Sequence, residues 1–424
     1  MGGLLRKKVK FVLKKTRVAI FAVVLFHEAT WLNYYLSNNF FNYSFPSQER
    51  LLFERAYGTS LEAWRSDIEQ NPHTLTVLSE VLEKEQQEHS FPLEEIVLVS
   101  KNYLKQSFPQ QFNTVIDDAV GTYFKKRISL RLSVCDEKFY LETNDHPLKT
   151  ILQHEVKHAK TFAITDIKFY ARWKALCRNQ EKHSLYTDDA TPEVNWRDIP
   201  FEQSVQLGFV SSYARKNVYE DIAETGEFAE NILTSREDGS YPGLELMIEW
   251  LYTRKSPVIA GKIALAQEYN IIPKEFSEFV WVQKLYHDAK AHDSYIDTSK
   301  VTSFLEQSER FLQKHPNSVY NIYVHNARGG VFAAQGIRDN EKASFRIALE
   351  EWNKGLLSPY KDIDEYRDIL HNMQGCYRWR MNEPCIASVY TDAIKEFEHR
   401  YLTGDVFLAK RGVNDLLYRC DVLR

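Results

Sequence analysis

Cysteine is scarce in this chain. Its five cysteines in 424 residues, Cys135, Cys177, Cys376, Cys385 and Cys420, are odd in number and show no C-x-x-C spacing, which argues against a cysteine-built zinc site. Only Cys376 and Cys385 stand close enough in sequence to suggest a disulfide, and buried free thiols are the commoner state of scattered cysteines. Long apolar runs are lacking at the N-terminus as well. Val18 to Phe26 is apolar, but a spanning helix needs about twenty such residues, and His27 with Glu28 would fall near the middle of the wider window that ends at Leu36. Arg6, Lys7, Lys8, Lys10, Lys14, Lys15 and Arg17 precede this run with no acid among them, the composition of an export signal. A small-x-small cleavage site is missing, since His27-Glu28-Ala29 is a poor one. An uncleaved anchor, a basic segment lying on an anionic membrane surface and a buried N-terminal helix are the other readings of residues 1–44. Arg6 stands where a myristoylation signal needs Ser or Thr. The expected location is exported or membrane-anchored, facing outside the cytoplasm.

Excess positive charge is absent beyond that run. The formal net charge is −4, and setting aside those seven basic residues leaves −11, which gives no general argument for nucleic-acid binding. Hydrophobic residues at 44% and charged residues at 26% are ordinary for a folded protein. A chain of 424 residues is long for one core, so two folded parts are expected.

The chemistry is concentrated in His154-Glu155-Val156-Lys157-His158, an H-E-x-x-H word in a helical segment. Residues four apart stand one above the other on a helix, so His154 and His158 can offer imidazole nitrogens to one metal ion with Glu155 beside them. Pro147 suits the start of this helix after the turn Asn144-Asp145-His146, and Leu148, Ile151, Leu152, Val156 and Ala159 make its apolar side. Lys157 places a cation inside the word, which suits zinc only if that side chain faces solvent. A metzincin would continue with G-x-x-H, but Thr161 and Ile164 hold those positions. Farther on stands Tyr213-x6-Glu220-Asp221-x-Ala223-Glu224.

The two words together resemble the gluzincins, zinc metallopeptidases whose third ligand is a glutamate on a second helix. Within that group they are similar to lethal-factor-like toxin peptidases and to predicted zinc-binding metallopeptidases, over roughly residues 110 to 270. The resemblance implies Zn2+ held by His154, His158 and Glu220, and a peptide or protein substrate. It implies Glu155 as general base toward an activated water, and Tyr213 as donor to the developing oxyanion or leaving group. Glu224, four residues after Glu220, is the expected carboxylate behind a ligating histidine, with Asp221 the weaker candidate. Singly, each residue has an ordinary alternative: surface histidines, a capping role for Glu220 after Asn217, a core aromatic at Tyr213, a solvated face at Asp221 and Glu224. A protein with an inert peptidase-like core, whose helical half binds a partner, is the alternative function.

Around this centre, residues 45–124 read as helical, over Leu61 to Ile68, Thr74 to Glu88 and Leu93 to Ser107, with no chemistry of their own. Ile128 to Val134 and Lys138 to Glu142 suit half-buried strands. Sixty-one residues separate His158 from Glu220, room for substrate-contacting loops. The helix after Glu220 is expected to reach Leu233, Ser235 to Gly243 reads as a loop, and Pro257 to Ala266 as a packing helix. Gly329-x2-Phe332-x12-Phe345-x2-Ala348-Leu349-x-Glu351-Trp352 aligns with Gln374-x2-Tyr377-x12-Tyr390-x2-Ala393-Ile394-x-Glu396-Phe397 at an offset of 45, with a half-unit at Phe304 to Phe311 before it. The spacing resembles tetratricopeptide helix pairs, while the long offset also fits an irregular helical domain with a chance echo. The expected fold is α+β and predominantly helical: a zincin-like catalytic domain with a small mixed sheet over 45–273, then an α-helical, tetratricopeptide-like domain over 274–424.

Overall fold

A computed structural model describes residues 48–62, 73–88, 93–99, 121–124, 126–131, 147–178, 184–187, 198–233, 242–253, 255–290, 297–358 and 362–402. The N-terminal segment 1–44, the strand expected at Lys138 to Glu142, most of the loop expected from Ser235, and Cys135 and Cys420 lie outside them. Among the described residues no helix is long and apolar enough to cross a membrane. The fold is α+β and mostly helical, with one small mixed sheet.

The chain begins with α1 (Gln48–Tyr57), β1 (Ser60–Glu62), α2 (His73–Glu88), β2 (Glu95–Val99), and the hairpin β3 (Gly121–Phe124) and β4 (Arg127–Arg131). The strand order is β1-β2-β4-β3, with β1, β2 and β4 parallel and β3 antiparallel to β4. Here two expectations are corrected. The helix expected from Leu93 is instead β2, because Ile96, Val97 and Leu98 form a β-branched and aliphatic run buried on consecutive residues, hence on both faces of the sheet. The helix expected from Leu61 begins as β1, whose three residues pair with β2 from Ser60↔Glu95 to Glu62↔Val97. The expected helix from Thr74 is α2, and the strand expected from Ile128 is β4.

Next comes α3 (Pro147–Ala163), which carries the H-E-x-x-H word. Its Leu148, Leu152 and Val156 are fully buried in one apolar cluster with Phe53, with Leu78 and Leu82 of α2, and with Ile96, Ile128 and Leu130 of the sheet. Burial of that face leaves the opposite face, with both histidines, for the helices that follow. These are α4 (Ile167–Leu176), α5 (Phe201–Gln206), a 3-10 turn (Tyr213–Arg215), α6 (Val218–Glu230), α7 (Pro242–Tyr252), α8 (Pro257–Glu268), α9 (Phe276–Ala289) and α10 (Thr298–Lys314). One apolar cluster runs through them from Phe169 to Val331 and crosses residue 273 without a break.

The chain then forms helix pairs: α11 (Asn321–Asp339) with α12 (Lys342–Leu356), and α13 (Ile363–Cys376) with α14 (Pro384–Leu402), the latter interrupted by a π-helical turn (Tyr377–Met381). Cys376 and Cys385 are free thiols, as is Cys177. Lys149 of α3 links three helices, with its Nζ 2.6 Å from Glu80 of α2 and 3.6 Å from Asp362 at the head of α13. Between α11 and α12 the helices approach closely at Gly329, where an added Cβ would lie 2.4 Å from Trp352 Nε1. Gly329→Val is therefore expected to overpack the pair and lose about 1–3 kcal/mol of stability. Thermal or urea unfolding measures this, and an unchanged midpoint would show that α11 and α12 have slack the contact does not suggest.

Candidate metal centre

The histidine face of α3 meets α6, and the register between the two helices decides what happens there. Asn217 starts α6, its side chain accepting hydrogen bonds from the backbone N–H groups of Tyr219 and Glu220. With that cap made by Asn217, the Glu220 carboxylate is free to point across at α3 rather than back at its own backbone. Its Oε2 lies 3.2 Å from Nε2 of His154 and 3.2 Å from Nε2 of His158. The three groups can offer one ligand atom each, all within 4.8 Å of one another, and so could hold a metal ion. Both histidines and Glu155 are buried.

Glu220, Glu224, Glu227 and Glu230 follow one another at helical spacing, a carboxylate ladder along one face of α6. Nδ1 of His154 lies 3.2 Å from Glu224 Oε1 and 3.1 Å from Glu227 Oε2, so its far nitrogen is held by carboxylates while Nε2 faces Glu220. Ser211 donates to Glu224 in turn. Glu224 therefore lies behind the His154 ring, on its Nδ1 side. Burial works against a charged His154 ring, yet its hydrogen bonds to Glu220, Glu224 and Glu227 hold its pKa well above the ordinary value. Burial alone would raise Glu220, but the two histidines hold it far below the usual carboxylate range. The ladder favours positive charge at this point.

Tyr213, on the 3-10 turn, has its ring 5.9 Å from the His154 ring, and its phenol shares a hydrogen bond with Glu220. Burial and then the charge of Glu220 push that phenol up, so it carries its proton. Lys216 approaches from the same turn, 3.3 Å from Glu220 Oε1. Glu155 is different: burial raises its carboxyl, and among the described residues its Oε2 meets no hydrogen-bond donor.

Two sequence expectations fail here. Lys157 does not face solvent. It is fully buried, pairing with Glu85 of α2 at 2.7 Å and with Glu230 at the end of the ladder, where Lys84 also stands at 3.6 Å from Glu230. Lys160 pairs with Glu85 too. The Lys157 stem passes over Gly226, where a Cβ would lie 2.8 Å from its Cγ, so a glycine in α6 makes the room. The cation in the word is thus directed away from the histidines by its own carboxylates.

Asp221 is not part of the centre. One residue beyond Glu220 it faces the other side of α6, fully buried, and accepts from Trp173 Nε1 at 2.7 Å, the Tyr186 hydroxyl at 2.8 Å and Lys262 Nζ at 2.8 Å. A helix turns by about 100° per residue, which is why adjacent acids part company. Burial and Asp221 push the neighbouring Cys177 thiol up to about 12, so it is no nucleophile at neutral pH.

Sequence reasoning missed Glu227, whose spacing of seven from Glu220 was the available signal, and the ion pairs of Lys157 and Lys160, which only the packing of α2 and α6 on α3 reveals. Comparison with protein-family models, with curated proteins and with solved structures finds no match to this chain.

The geometry separates two kinds of variant. Lys157→Ala and Asp221→Ala each leave buried charges uncompensated and are expected to cost about 3–5 kcal/mol in urea unfolding. Glu227→Gln, which leaves an acceptor near His154, is expected to cost no more than about 1 kcal/mol. Full stability in Asp221→Ala would contradict the place given to Asp221.

Proposed function

We propose that this protein is a zinc-dependent peptidase, with His154, His158 and Glu220 as the metal ligands. The observation that carries the reading is the convergence of two imidazole Nε2 atoms on one carboxylate oxygen at 3.2 Å, beside the buried Glu155, whose Oε2 meets no donor among the described residues. Ligand atoms bound to zinc at about 2.05 Å in a tetrahedron stand about 3.3 Å apart, so these separations suit that ion. Two imidazoles and a carboxylate are also the donor set of catalytic rather than structural zinc. When bound, zinc would polarise a peptide carbonyl and acidify a water molecule, bringing its pKa to about 7.

The chain's own groups supply the rest. Glu155 would take a proton from the water that attacks the peptide carbonyl and deliver it to the leaving amine; burial raises its carboxyl, and among the described residues its Oε2 meets no donor, which suits a group that must change state. A buried carboxylate without a donor is costly, and a purely structural site has no use for it. Tyr213 holds its proton and donates it toward the oxyanion or leaving group. Glu224 and Glu227 accept hydrogen bonds from the Nδ1–H of His154, which fixes the ring and leaves Nε2 for the metal.

Two finer readings accompany this one. The contact of Gly329 with Trp352 and the stacked rings of Tyr377 and Tyr390, 5.5 Å apart, support tetratricopeptide-like helix pairs that bind a protein partner. The basic and apolar composition of residues 1–44 supports a membrane-directed or exported protein.

Metal content and hydrolysis of an unstructured protein, followed together in wild type, Glu155→Ala and Glu220→Ala, test the function. The expected result is about one zinc per chain in wild type and Glu155→Ala, little in Glu220→Ala, and cleavage by wild type alone. A wild type that takes up no zinc in the absence of chelators would overturn the reading.

A further inference from the structure

Three aromatic rings stand in a row beside the metal centre. Tyr123 of β3 stacks on Phe162 of α3 with centroids 5.8 Å apart and planes 24° apart, and Phe162 stacks on Tyr219 of α6 at 5.2 Å and 15°. The row therefore links the sheet hairpin, the histidine helix and the carboxylate helix. Phe162 follows His158 by one helical turn, and its ring centroid lies 6.4 Å from that imidazole. Tyr219 adjoins Glu220 in the chain.

The row is braced rather than loose. Tyr170 sets its ring against Tyr219 at 5.8 Å and donates its hydroxyl to the Thr161 carbonyl at 2.8 Å. Even so, Phe162 is 53% exposed and Tyr219 41% exposed. Another exposed ring pair, Tyr252 with Trp281, is partly occupied by the protein itself: the Tyr252 hydroxyl donates to the Ser277 carbonyl, and Lys284 stands 5.5 Å over the indole. Among the described residues neither Phe162 nor Tyr219 has a cation over its ring. Contiguous apolar surface held open at the edge of a polar site marks a place where an apolar group is received.

We propose that the Tyr123–Phe162–Tyr219 stack receives an aromatic or large aliphatic side chain of an extended peptide, from a residue next to the bond held at His154, His158 and Glu220. The inference rests on the peptidase reading, because that reading supplies the peptide. The chemistry is that of ring on ring: aromatic surface one helical turn from the centre favours a flat or bulky apolar side chain and offers nothing to an anionic one.

The test separates the two ideas. Labelled peptides of Gly and Ser with one central Phe, Leu, Ala or Asp are bound to zinc-loaded Glu155→Ala protein by fluorescence anisotropy, alone and with Phe162→Ser or Tyr219→Ser added. Cleavage of the same peptides by wild type is followed by mass spectrometry. Phe and Leu peptides are expected to bind about tenfold tighter than the Ala peptide, and either serine variant to bring that ratio down to about threefold or less. Phe162→Tyr is expected to preserve the ratio, which guards against loss through misfolding. Equal binding of the four peptides, or an unchanged ratio in both serine variants, overturns the inference whether or not cleavage occurs. A preference that depends on Phe162, found with no cleavage by a wild type that holds zinc, supports apolar binding at the stack and overturns its placement beside a bond that is cut.

Discussion

The contact between α3 and α6 is the interaction on which the rest depends. One helix presents His154, Lys157 and His158 along a face, and the other presents Glu220, Glu224, Glu227 and Glu230. At one end Lys157 meets Glu230 and, across on α2, Glu85; at the other, Glu220 meets both histidines. Buried charges of this kind contribute little net stability, but they penalise any other register severely, since a slip would leave several of them unpaired in a dry interior. Register is what a metal centre built from two helices needs.

The surrounding fold serves the same end. The apolar side of α3 is fixed by α2 and the sheet, α6 is fixed on its far side by Asp221 with Lys262, Trp173 and Tyr186, and Gly226 lets the two helices close on the Lys157 stem. The residues 45–124, which carry no chemistry in sequence, thus contribute through Glu85 and Lys84 to where the histidines stand. A second layer of ion pairs thus holds the polar side chains of the α3–α6 face in place.

Much of the centre was legible in the sequence because it obeys helix arithmetic. His154 and His158 four apart, and Glu220 and Glu224 four apart, each define a face without knowledge of the fold. The same arithmetic, carried one turn farther, gives Glu227. Asp221 was misplaced for the opposite reason: neighbouring acids look equivalent in a string, but only the core partners on α4 and α8 say which one turns inward. Lys157 was misjudged because a buried lysine depends on carboxylates far away in sequence, Glu85 and Glu230. In β2 a short apolar run fits a buried strand as well as a helix, and only pairing with β1 and β4 decides between them.

Anomalous diffraction at the zinc edge, from crystals of the protein grown with equimolar zinc, tests the central claim most directly. The account predicts one strong peak within about 2.0–2.2 Å of His154 Nε2, His158 Nε2 and a Glu220 carboxylate oxygen, with Lys157 still turned toward Glu85 and Glu230. A peak held by other residues, or none at these three atoms in crystals that contain zinc, would contradict it.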